Sequence, residues 1–257
     1  MLMPETDRLN FTGRLILISG GAGALGRAIS TALHSHGADV VTNDVVDRSA
    51  VVGLDPAATY IKADVADPTQ VANMIDEILD TKGRLPDVVC CHAGLVDSFA
   101  IQDYPIEEFD RLMRLNVRGA FVLAQAISQR WLEARVPGHL IFTTSWVQDI
   151  PWPEIGPYNS SKAAVRQLAH SFARELAPHG IRANTIAPGM VNSGMTKHLW
   201  DTDESYRARA ANAIPLGYLQ APESVADAFL FLVSSMADYM TGSDLLVDGG
   251  ASLYPLN

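Results

Sequence analysis

The stretch Leu15–Leu33, LILISGGAGALGRAISTAL, decides the fold. Its first five residues form a short apolar run of the kind that becomes a buried strand, and several glycines follow it closely. Beyond the glycines, Leu25, Ile29 and Leu33 recur every fourth residue, which places them on one face of a helix. A strand, a glycine-rich turn and a helix in this order are typical of the first unit of a doubly wound α/β fold.

Short apolar runs and helical patterns continue to alternate along the rest of the chain. The predicted strands are Leu15–Ser19, Asp39–Asn43, Thr59–Ala63, Val88–His92, Leu140–Thr144, Ile181–Ala187 and Leu245–Val247. One helix is predicted after the glycine turn, with Leu25 on its apolar face, and a second starts at Asp67-Pro68. Two longer helices are predicted over about 106–135 and 156–178, and two more near 203–213 and 222–233. This alternation predicts a doubly wound (Rossmann) parallel seven-stranded sheet with helices on both faces.

The chain shows no linker, internal repeat or shift in composition, so we predict a single domain over residues 1–257. The one long irregular stretch runs from about 189 to 222 and contains Pro215 and Gly217. Because long loops in compact domains often bind ligands, we expect this segment to be a substrate-binding loop.

Composition narrows the classes of partner. The formal net charge is −10 and no run of lysines and arginines occurs, which argues against nucleic acid and anionic membranes as partners. The N-terminal residues lack the apolar stretch of a signal peptide, no run approaches membrane-spanning length, and no metal-ligand spacing is present. Cys90 and Cys91 are adjacent and fit a core strand better than redox chemistry. We therefore expect a cytoplasmic protein without a metal.

The turn Ser19–Gly26 has the composition of a phosphate-binding loop. Glycines let backbone amides approach a pyrophosphate, and the N-terminus of the following helix favours its negative charge. Glycine also serves packing in tight strand–helix turns, but the position after the first strand favours nucleotide binding. The residues of this turn that we expect to contact the cofactor are Gly20, Gly23, Ala24, Leu25 and Gly26.

Acidic residues follow the second and third strands. Asp44 lies eighteen residues after Gly26, where a carboxylate can accept both hydroxyls of an adenosine ribose and would repel a 2′-phosphate. Val45 follows it, so no arginine stands there to neutralise that phosphate, and we predict NAD rather than NADP. The alternative is an ordinary turn aspartate. Asp64, followed by Val65, could meet the adenine edge or cap the turn toward Pro68.

Tyr158 and Lys162 are four residues apart in a helical pattern, so they share one helix face. A free phenol has a pKa of about 10, and a nearby cation favours its ionised form. Ser145 lies thirteen residues upstream of Tyr158, at the end of the run HLIFTTS, and could hold a substrate oxygen. This spacing is weak evidence on its own, because tyrosine and lysine often fall four apart by chance.

Together these features resemble the short-chain dehydrogenase/reductase family, in its short single-domain branch, from about Gly13 to Gly250. The most specific matching residues are Asn116, Ser145, Tyr158 and Lys162. Further matches are Pro188-Gly189, Val191, Ser193, Thr241-Gly242 and the closing Val247–Gly250.

The resemblance implies a role for each matching residue. It makes Tyr158 the general acid/base, with Lys162 lowering the tyrosine pKa and holding the nicotinamide ribose. It makes Ser145 the hydrogen-bond partner of the reacting oxygen, and Asn116 the anchor of a water that leads from the lysine to solvent. Alternatively, Asn116 could merely kink its helix and Ser145 merely end a strand. The groups that would orient the nicotinamide carboxamide are Pro188, Gly189, Val191 and Ser193.

Two positions depart from the family pattern. Ala24 stands where the family usually has glycine, and the added methyl costs little only if this residue has helical dihedral angles. His92 replaces an asparagine that, in relatives, ties the central strand to its neighbours. A neutral imidazole can donate one hydrogen bond and accept one, so His92 could take over this structural role or, alternatively, act in catalysis. Ala93 and Gly94 still leave room for the cofactor.

The substrate is less determined than the chemistry. The residues that we expect to line its pocket are Ser145, Trp146, Val147, Trp152, Tyr158, Met190 and Trp200. The tryptophans could form an apolar wall, while polar residues nearby could bind hydroxyls of a sugar or polyol or simply face solvent; these are Asp149, Glu154, Asn192 and His198.

The predicted function is an NAD-dependent oxidoreductase that interconverts a secondary alcohol, such as a sugar, polyol or other hydroxy compound, and its ketone by hydride transfer. The alternatives are an NADPH-dependent reductase of ketone or ketoacyl substrates, and a catalytically silent nucleotide-sensing scaffold on the same fold. By resemblance we also expect a homotetramer, joined through the two longest helices, at about 106–135 and 156–178.

Overall fold

The computed structural model describes residues 8–253, so both ends of the predicted domain, 1–7 and 254–257, lie outside the described residues. One seven-stranded sheet has the order β3-β2-β1-β4-β5-β6-β7, and every neighbouring pair is parallel. The strands are β1 Leu15–Ser19, β2 Asp39–Asp44, β3 Thr59–Lys62, β4 Val88–Cys91, β5 Gly138–Thr143, β6 Ile181–Pro188 and β7 Asp244–Val247. The helices are α1 Ala24–Ser35, α2 Pro68–Lys82, α3 Ile106–Met113, α4 Ala120–Ala134, α5 Gly156–Leu176, α6 Gly194–Thr202, α7 Glu204–Ala213 and α8 Pro222–Val233. The predicted doubly wound fold is confirmed.

The uninterrupted apolar run of β1 is explained by burial on both faces of the sheet. Successive side chains of a strand point to opposite faces, so Leu15 and Leu17 pack in the core under α2, α4 and α5. Ile16 and Ile18 pack in the other core, under α1 and α8. Both cores are therefore organised around the central strands. No helix among residues 8–253 is both long enough and apolar enough to cross a membrane.

The helix predicted over 106–135 is interrupted, because Arg114–Gly119 forms a π-helical segment between α3 and α4. Asn116 lies within it and is buried, and its side-chain amide bonds to the backbone of Leu95 and to the Ser161 hydroxyl. Such π-helical turns occur frequently at functional sites.

The segment 189–222 is more regular than the sequence suggested. The helix predicted near 203–213 is confirmed as α7, which Asp203 caps by accepting a hydrogen bond from the Tyr206 amide. The helix α6 was not predicted, since few apolar residues mark a face in GMTKHLWDT. An ion pair between Lys197 and Asp201, four residues apart at 2.6 Å, supports this helix.

Candidate active site

A cavity of about 680 Å³ lies at the carboxyl ends of the parallel strands, where the order turns from β1 to β4. This is the position at which open α/β sheets bind ligands. The predicted site residues that line it are Gly20, Gly23, Ala24, Leu25, Asp44, Asp64, Val65, His92, Ala93, Gly94, Ser145, Tyr158, Lys162, Pro188, Gly189, Val191 and Ser193. Gly26 and Asn116 do not line the cavity but contact residues that do. Gly26 packs against Gly20, and Asn116 is hydrogen-bonded to the backbone of Leu95.

The glycine turn forms a tight cradle at the start of α1. Gly20 has a φ of +74°, and a Cβ there would lie 2.8 Å from the Cα of Ala93. A Cβ on Gly26 would lie 2.3 Å from the carbonyl oxygen of Gly20. Since neither contact can be relieved by a side-chain movement, both positions require glycine.

The first turn of α1 can receive an anion. Gly23 is the N-cap residue and offers no side-chain cap, so the first amides of the helix remain available for a ligand phosphate. Ala24 is the first residue of the helix, and its helical conformation meets the condition under which its methyl group costs little. The backbone of this turn therefore fits a pyrophosphate.

Asp44 is held in a fixed orientation at the end of β2. Its Oδ2 accepts a hydrogen bond from the Ala22 amide at 3.1 Å, and its Oδ1 accepts one from the Val45 amide at 2.8 Å. Arg27 donates to the carbonyl oxygen of Ala22 and does not line the cavity. The carboxylate thus faces the cavity next to the glycine turn.

Asp64 has partners on both of its carboxylate oxygens. Oδ1 accepts from the Ala66 amide at 2.8 Å, so it stabilises the turn, and Oδ2 pairs with the Arg114 guanidinium at 2.7 Å. The cap of α2 is Asp67, as the sequence predicted. Arg114 lines the cavity but escaped the sequence analysis, because no local pattern distinguishes this arginine in RLNVRG.

The helix α5 brings the tyrosine and the lysine together beside the end of β5. Lys162 Nζ lies 5.4 Å from the centroid of the Tyr158 ring and donates a hydrogen bond to the carbonyl oxygen of Thr143 at 2.8 Å. Ser145, which directly follows Thr144 beyond β5, lies beside Tyr158 and acts to lower its pKa. One phenol, one hydroxyl and one amine therefore converge on a single wall of the cavity.

Burial sets the protonation of this group. It raises the pKa of Tyr158 to about 12, against the opposing effect of the Ser145 hydrogen bond. Burial also lowers the pKa of Lys162 to about 8. Both shifts follow from the cost of charge in a weakly polar environment. The sequence suggested that the lysine lowers the tyrosine pKa, whereas the largest cause here is burial, which raises it.

Asn116 and His92 tie the segments around this group. Asn116 Oδ1 accepts from the Leu95 amide and its Nδ2 donates to the Leu95 carbonyl, both at 2.9 Å. A Cβ on Gly94 would lie 3.2 Å from Asn116 Oδ1 and 3.4 Å from Lys162 Nζ, which places the amide beside the amine. The water relay through Asn116 stays a prediction.

His92 connects the end of β4 to β5, because its Nδ1 lies 2.9 Å from the Thr143 hydroxyl. Burial, with a smaller effect of the Lys162 ammonium, lowers the pKa of His92 to about 4. The imidazole is therefore neutral near pH 7. This contact is the structural tie that the sequence analysis considered for His92.

The remaining predicted substrate residues lie together in an apolar cluster, against which Tyr158 packs. Its predicted members are Trp146, Val147, Trp152, Met190 and Trp200. The Trp146 and Trp152 rings meet edge to face, with their centroids 5.6 Å apart. None of these five residues lines the cavity, and Tyr158 packs against their cluster.

The second half of the 189–222 segment is held onto this cluster by Arg209 of α7. Its guanidinium lies 5.4 Å from the centroid of Trp152 and 5.8 Å from that of Tyr206. It also approaches Glu154, at 3.8 Å. Glu154 is thus paired. Asp149 is paired as well, because it lies 2.7 Å from Arg166. The other two residues that could bind hydroxyls of a sugar, Asn192 and His198, are exposed.

Comparisons with known proteins show which family the chain is similar to. A family model described as enoyl-(acyl carrier protein) reductase matches residues 20–252. The chain is 33% identical over 250 residues to 3beta-hydroxysteroid dehydrogenase 1 of Eggerthella lenta, covering 95% of either protein. It is 33% identical over 245 residues to L-rhamnose 1-dehydrogenase (NAD(P)(+)) of a Sphingomonas species, covering 93% of this chain and 96% of that protein.

A solved structure is also similar over nearly its whole length. The crystal structure of a short-chain type dehydrogenase/reductase from Mycobacterium marinum superposes with a TM-score of 0.88 at 33% identity. The match covers 96% of this chain and 99% of that one.

Proposed function

The chain belongs to the short-chain dehydrogenase/reductase family, and on that premise we propose that Tyr158 is the general acid/base of its reaction. The protein is an NAD(P)-dependent oxidoreductase, and its relatives act on secondary alcohols and sugars. The observation that carries the proposal is the convergence of Tyr158, Ser145 and Lys162 on the wall of a cavity that also contains the glycine cradle.

A bound nicotinamide dinucleotide would supply or accept the hydride at its nicotinamide ring. The protein would handle the proton, with Ser145 orienting the substrate oxygen and the Tyr158 oxygen giving or taking its proton. Because the pKa of Tyr158 is about 12, the phenol is protonated at neutral pH and ready to donate during ketone reduction. Alcohol oxidation needs the ionised phenol, so the oxidative rate should rise toward alkaline pH.

NAD is the proposed cofactor, and Asp44 is the residue that supports it. Its carboxylate is oriented by two backbone amides toward the cavity, where it can bind both ribose hydroxyls and would repel a 2′-phosphate. Arg27 is engaged with the carbonyl oxygen of Ala22 and does not line the cavity. An NADPH-dependent reductase remains the alternative, and kinetic measurement with both cofactors separates the two.

The charges of the cavity favour a neutral substrate. Among the described residues that line it, two arginines are already paired: Arg111 with Asp97 and Glu108, and Arg114 with Asp64. Lys162 is part of the proposed catalytic group. No described lining cation is therefore left to bind a substrate carboxylate, and we propose an uncharged secondary alcohol of the sterol, sugar or polyol type.

Replacing Tyr158 by Phe tests the acid/base role. The variant keeps the ring in its apolar cluster, so NADH binding, followed by fluorescence, should stay near the wild-type value. Turnover should fall by about 10²–10⁴, the usual contribution of general acid–base catalysis. Substrates come from a screen of sterols, sugars and polyols with NAD⁺ at alkaline pH, with gluconate as the anionic comparison.

Tyr104→Phe is the matched control, because the buried Tyr104 hydroxyl lacks a hydrogen-bond partner and lies outside the cavity lining. It should leave turnover unchanged. Normal turnover of the Tyr158→Phe variant would contradict the proposed role. Nucleotide binding without turnover on any substrate would instead support the silent scaffold.

Assembly into a homotetramer is proposed through the α3–α4 region and α5. Phe121 of α4 is 38% exposed, and its ring lies 6.0 Å from that of Phe172 on α5. An apolar surface on the two longest helical regions supports a contact between copies, and sedimentation giving a monomer would contradict it. The cytoplasmic location stays a prediction from the sequence.

A further inference from the structure

We propose that Glu154 is a positioning residue for the substrate half of the cavity, and that it acts through its backbone rather than its carboxylate. Its left-handed conformation directs its carbonyl oxygen to segment 95–99, which follows β4 and brings Leu95 and Val96 into the cavity lining. The inference rests on the proposed function, since it concerns where the substrate is held relative to Tyr158.

Glu154 has a backbone conformation that is unfavourable for a residue with a Cβ. Among the residues that the structure describes, only Arg135 and Glu154 combine a side chain with a positive φ, of 54° and 68°. Such a conformation persists only where the surrounding structure imposes it. Arg135 is the C-cap residue of α4, a place where helices commonly end this way. Glu154 ends no helix but directly precedes Ile155, the N-cap residue of α5, so its strain has a different cause.

The backbone of Glu154 makes a hydrogen bond that the left-handed turn allows. Its carbonyl oxygen accepts from the Phe99 amide at 2.8 Å, at the far end of segment 95–99. The near end of this segment is held by Asn116, whose amide group bonds both the backbone amide and the carbonyl of Leu95 at 2.9 Å. Segment 95–99 is therefore fixed from both ends, and Glu154 fixes the end that no secondary structure reaches.

Side-chain packing keeps the same two parts of the chain close together. A Cβ on Gly156, the first residue of α5, would lie 2.6 Å from the Cδ1 atom of Ile101. The start of α5 thus touches the chain just beyond segment 95–99. Because α5 also carries Tyr158, the turn at Glu154 sets how the apolar lining residues of that segment stand relative to the phenol.

The carboxylate of Glu154 does not account for this arrangement. Its ion-pair partner, Arg209, lies 3.8 Å away, and both side chains are about half exposed. Exposed ion pairs of this kind contribute little to stability. The Arg209 guanidinium also has the rings of Trp152 and Tyr206 as partners. The conformation of residue 154, rather than its charge, is therefore the property that the site uses.

The test is a series of substitutions at residue 154 that differ in their tolerance of a positive φ. Glycine adopts it freely and asparagine more readily than most residues, whereas β-branched valine resists it. With an alcohol that the wild type oxidises, Glu154→Val should lower kcat/KM by about tenfold to hundredfold, the cost of displacing a reactant by about 1 Å. Glu154→Gly and Glu154→Asn should retain most of the wild-type value. Glu154→Gln, which removes only the charge, should change it by less than about threefold.

Arg135→Val is the matched control, because it places the same β-branched side chain at the other left-handed residue, outside the cavity lining. It should lower the urea midpoint of unfolding about as much as Glu154→Val does, yet leave kcat/KM unchanged. Calorimetric titration with ADP-ribose should give the wild-type affinity and stoichiometry for both variants, which shows that the measured molecules are folded. A merely structural role for Glu154 predicts instead that the two valine variants turn over alike.

Should Glu154→Val fail to fold, Glu154→Thr is compared with Glu154→Asn, since both side chains are polar and only threonine is β-branched. The threonine variant should then have the lower kcat/KM. Equal kcat/KM values in the β-branched and glycine variants would overturn the proposal, as would a loss in Glu154→Gln as large as that in Glu154→Val. If the wild type turns over no alcohol of the screen, the proposed function itself fails, and this inference fails with it.

Discussion

The two halves of the cavity are built by different means. The cofactor half is formed by the backbone of a short segment. A Cβ added to Gly20 or Gly26 would lie less than 3 Å from its nearest backbone atom. The substrate half is supported by side chains from separate segments, among them Trp146, Trp152 and Met190. A backbone cradle tolerates almost no added atom, whereas a side-chain cluster can repack. Substitutions in the cofactor half should therefore either abolish NADH binding or leave it nearly unchanged. Substitutions in the substrate half should reduce kcat/KM by degrees.

The largest effect is expected from Gly26→Ala. The new Cβ would meet the Gly20 carbonyl oxygen at 2.3 Å and the Gly21 Cα at 2.9 Å, so the whole turn must move. We expect NADH binding to be lost at concentrations that saturate the wild type. The free energy of unfolding should fall by about 1–3 kcal/mol, as is usual for overpacking. Fluorescence titration and urea unfolding measure the two.

Gly23→Ala is the control within the same turn. A Cβ there would meet only the Gly20 carbonyl oxygen, at 3.4 Å, and Gly23 already has a φ of −67°. The variant should fold normally and lose little affinity. Equal losses of NADH affinity in Gly23→Ala and Gly26→Ala would show that the close backbone approach at Gly26 does not limit which side chains the turn accepts.

Next in size is Asp44→Ala, which changes charge rather than shape in the cofactor half. Removing a carboxylate that binds the ribose and repels a 2′-phosphate should lower the preference for NADH over NADPH by about tenfold or more, as a charged hydrogen bond of about 1.5–3 kcal/mol implies. The kcat/KM ratio with the two cofactors measures it. Asp47→Ala, at an exposed residue paired with Lys62, should leave the ratio unchanged; a constant ratio in Asp44→Ala would exclude this carboxylate from cofactor choice.

A graded effect is expected from Trp152→Leu in the substrate half. The variant loses an edge-to-face contact with Trp146 and a cation–π contact with Arg209. Aromatic contacts of this kind contribute about 0.5–1.5 kcal/mol, so kcat/KM for the alcohol should fall by about tenfold or less. NADH affinity should not change, because Trp152 does not line the cavity. A parallel loss of NADH affinity would show that the two halves are not independent.

At the boundary between the halves, His92 should affect the stability in acid rather than binding or turnover. The native pKa of His92, about 4, lies below the usual 6.5 of histidine. Between these pH values the imidazole is therefore protonated in the unfolded chain but neutral in the native protein. Stability should therefore decline as the pH falls from about 6.5 to 4, by about 1–3 kcal/mol at the acid end.

In His92→Asn this part of the decline should disappear, because asparagine does not titrate. Urea unfolding at pH 7 and at pH 4.5 measures the change. The same replacement at the exposed His198 should leave the slope unaltered. An identical acid sensitivity in wild type and His92→Asn would show that other groups control it.

The sequence predicted the cofactor half better than the substrate half. Strand β1, the turn and the start of α1 follow from neighbouring residues, and the predicted Leu15–Ser19 strand is confirmed residue for residue. The tryptophans were expected to line a pocket, and the structure places Trp146 in a buried cluster against which Tyr158 packs. A side chain's surroundings depend on segments that the local pattern does not describe.

By itself, the sequence determined where strands, helices and the glycine cradle form, because periodicity and backbone sterics act over a few residues. It also determined that Tyr158 and Lys162 share a helix face. Tertiary structure decided that burial raises the pKa of Tyr158. It also decided that Arg114 meets Asp64, fifty residues away in sequence. Burial and long-range charge pairing arise only when distant segments pack together, so no local pattern contains them.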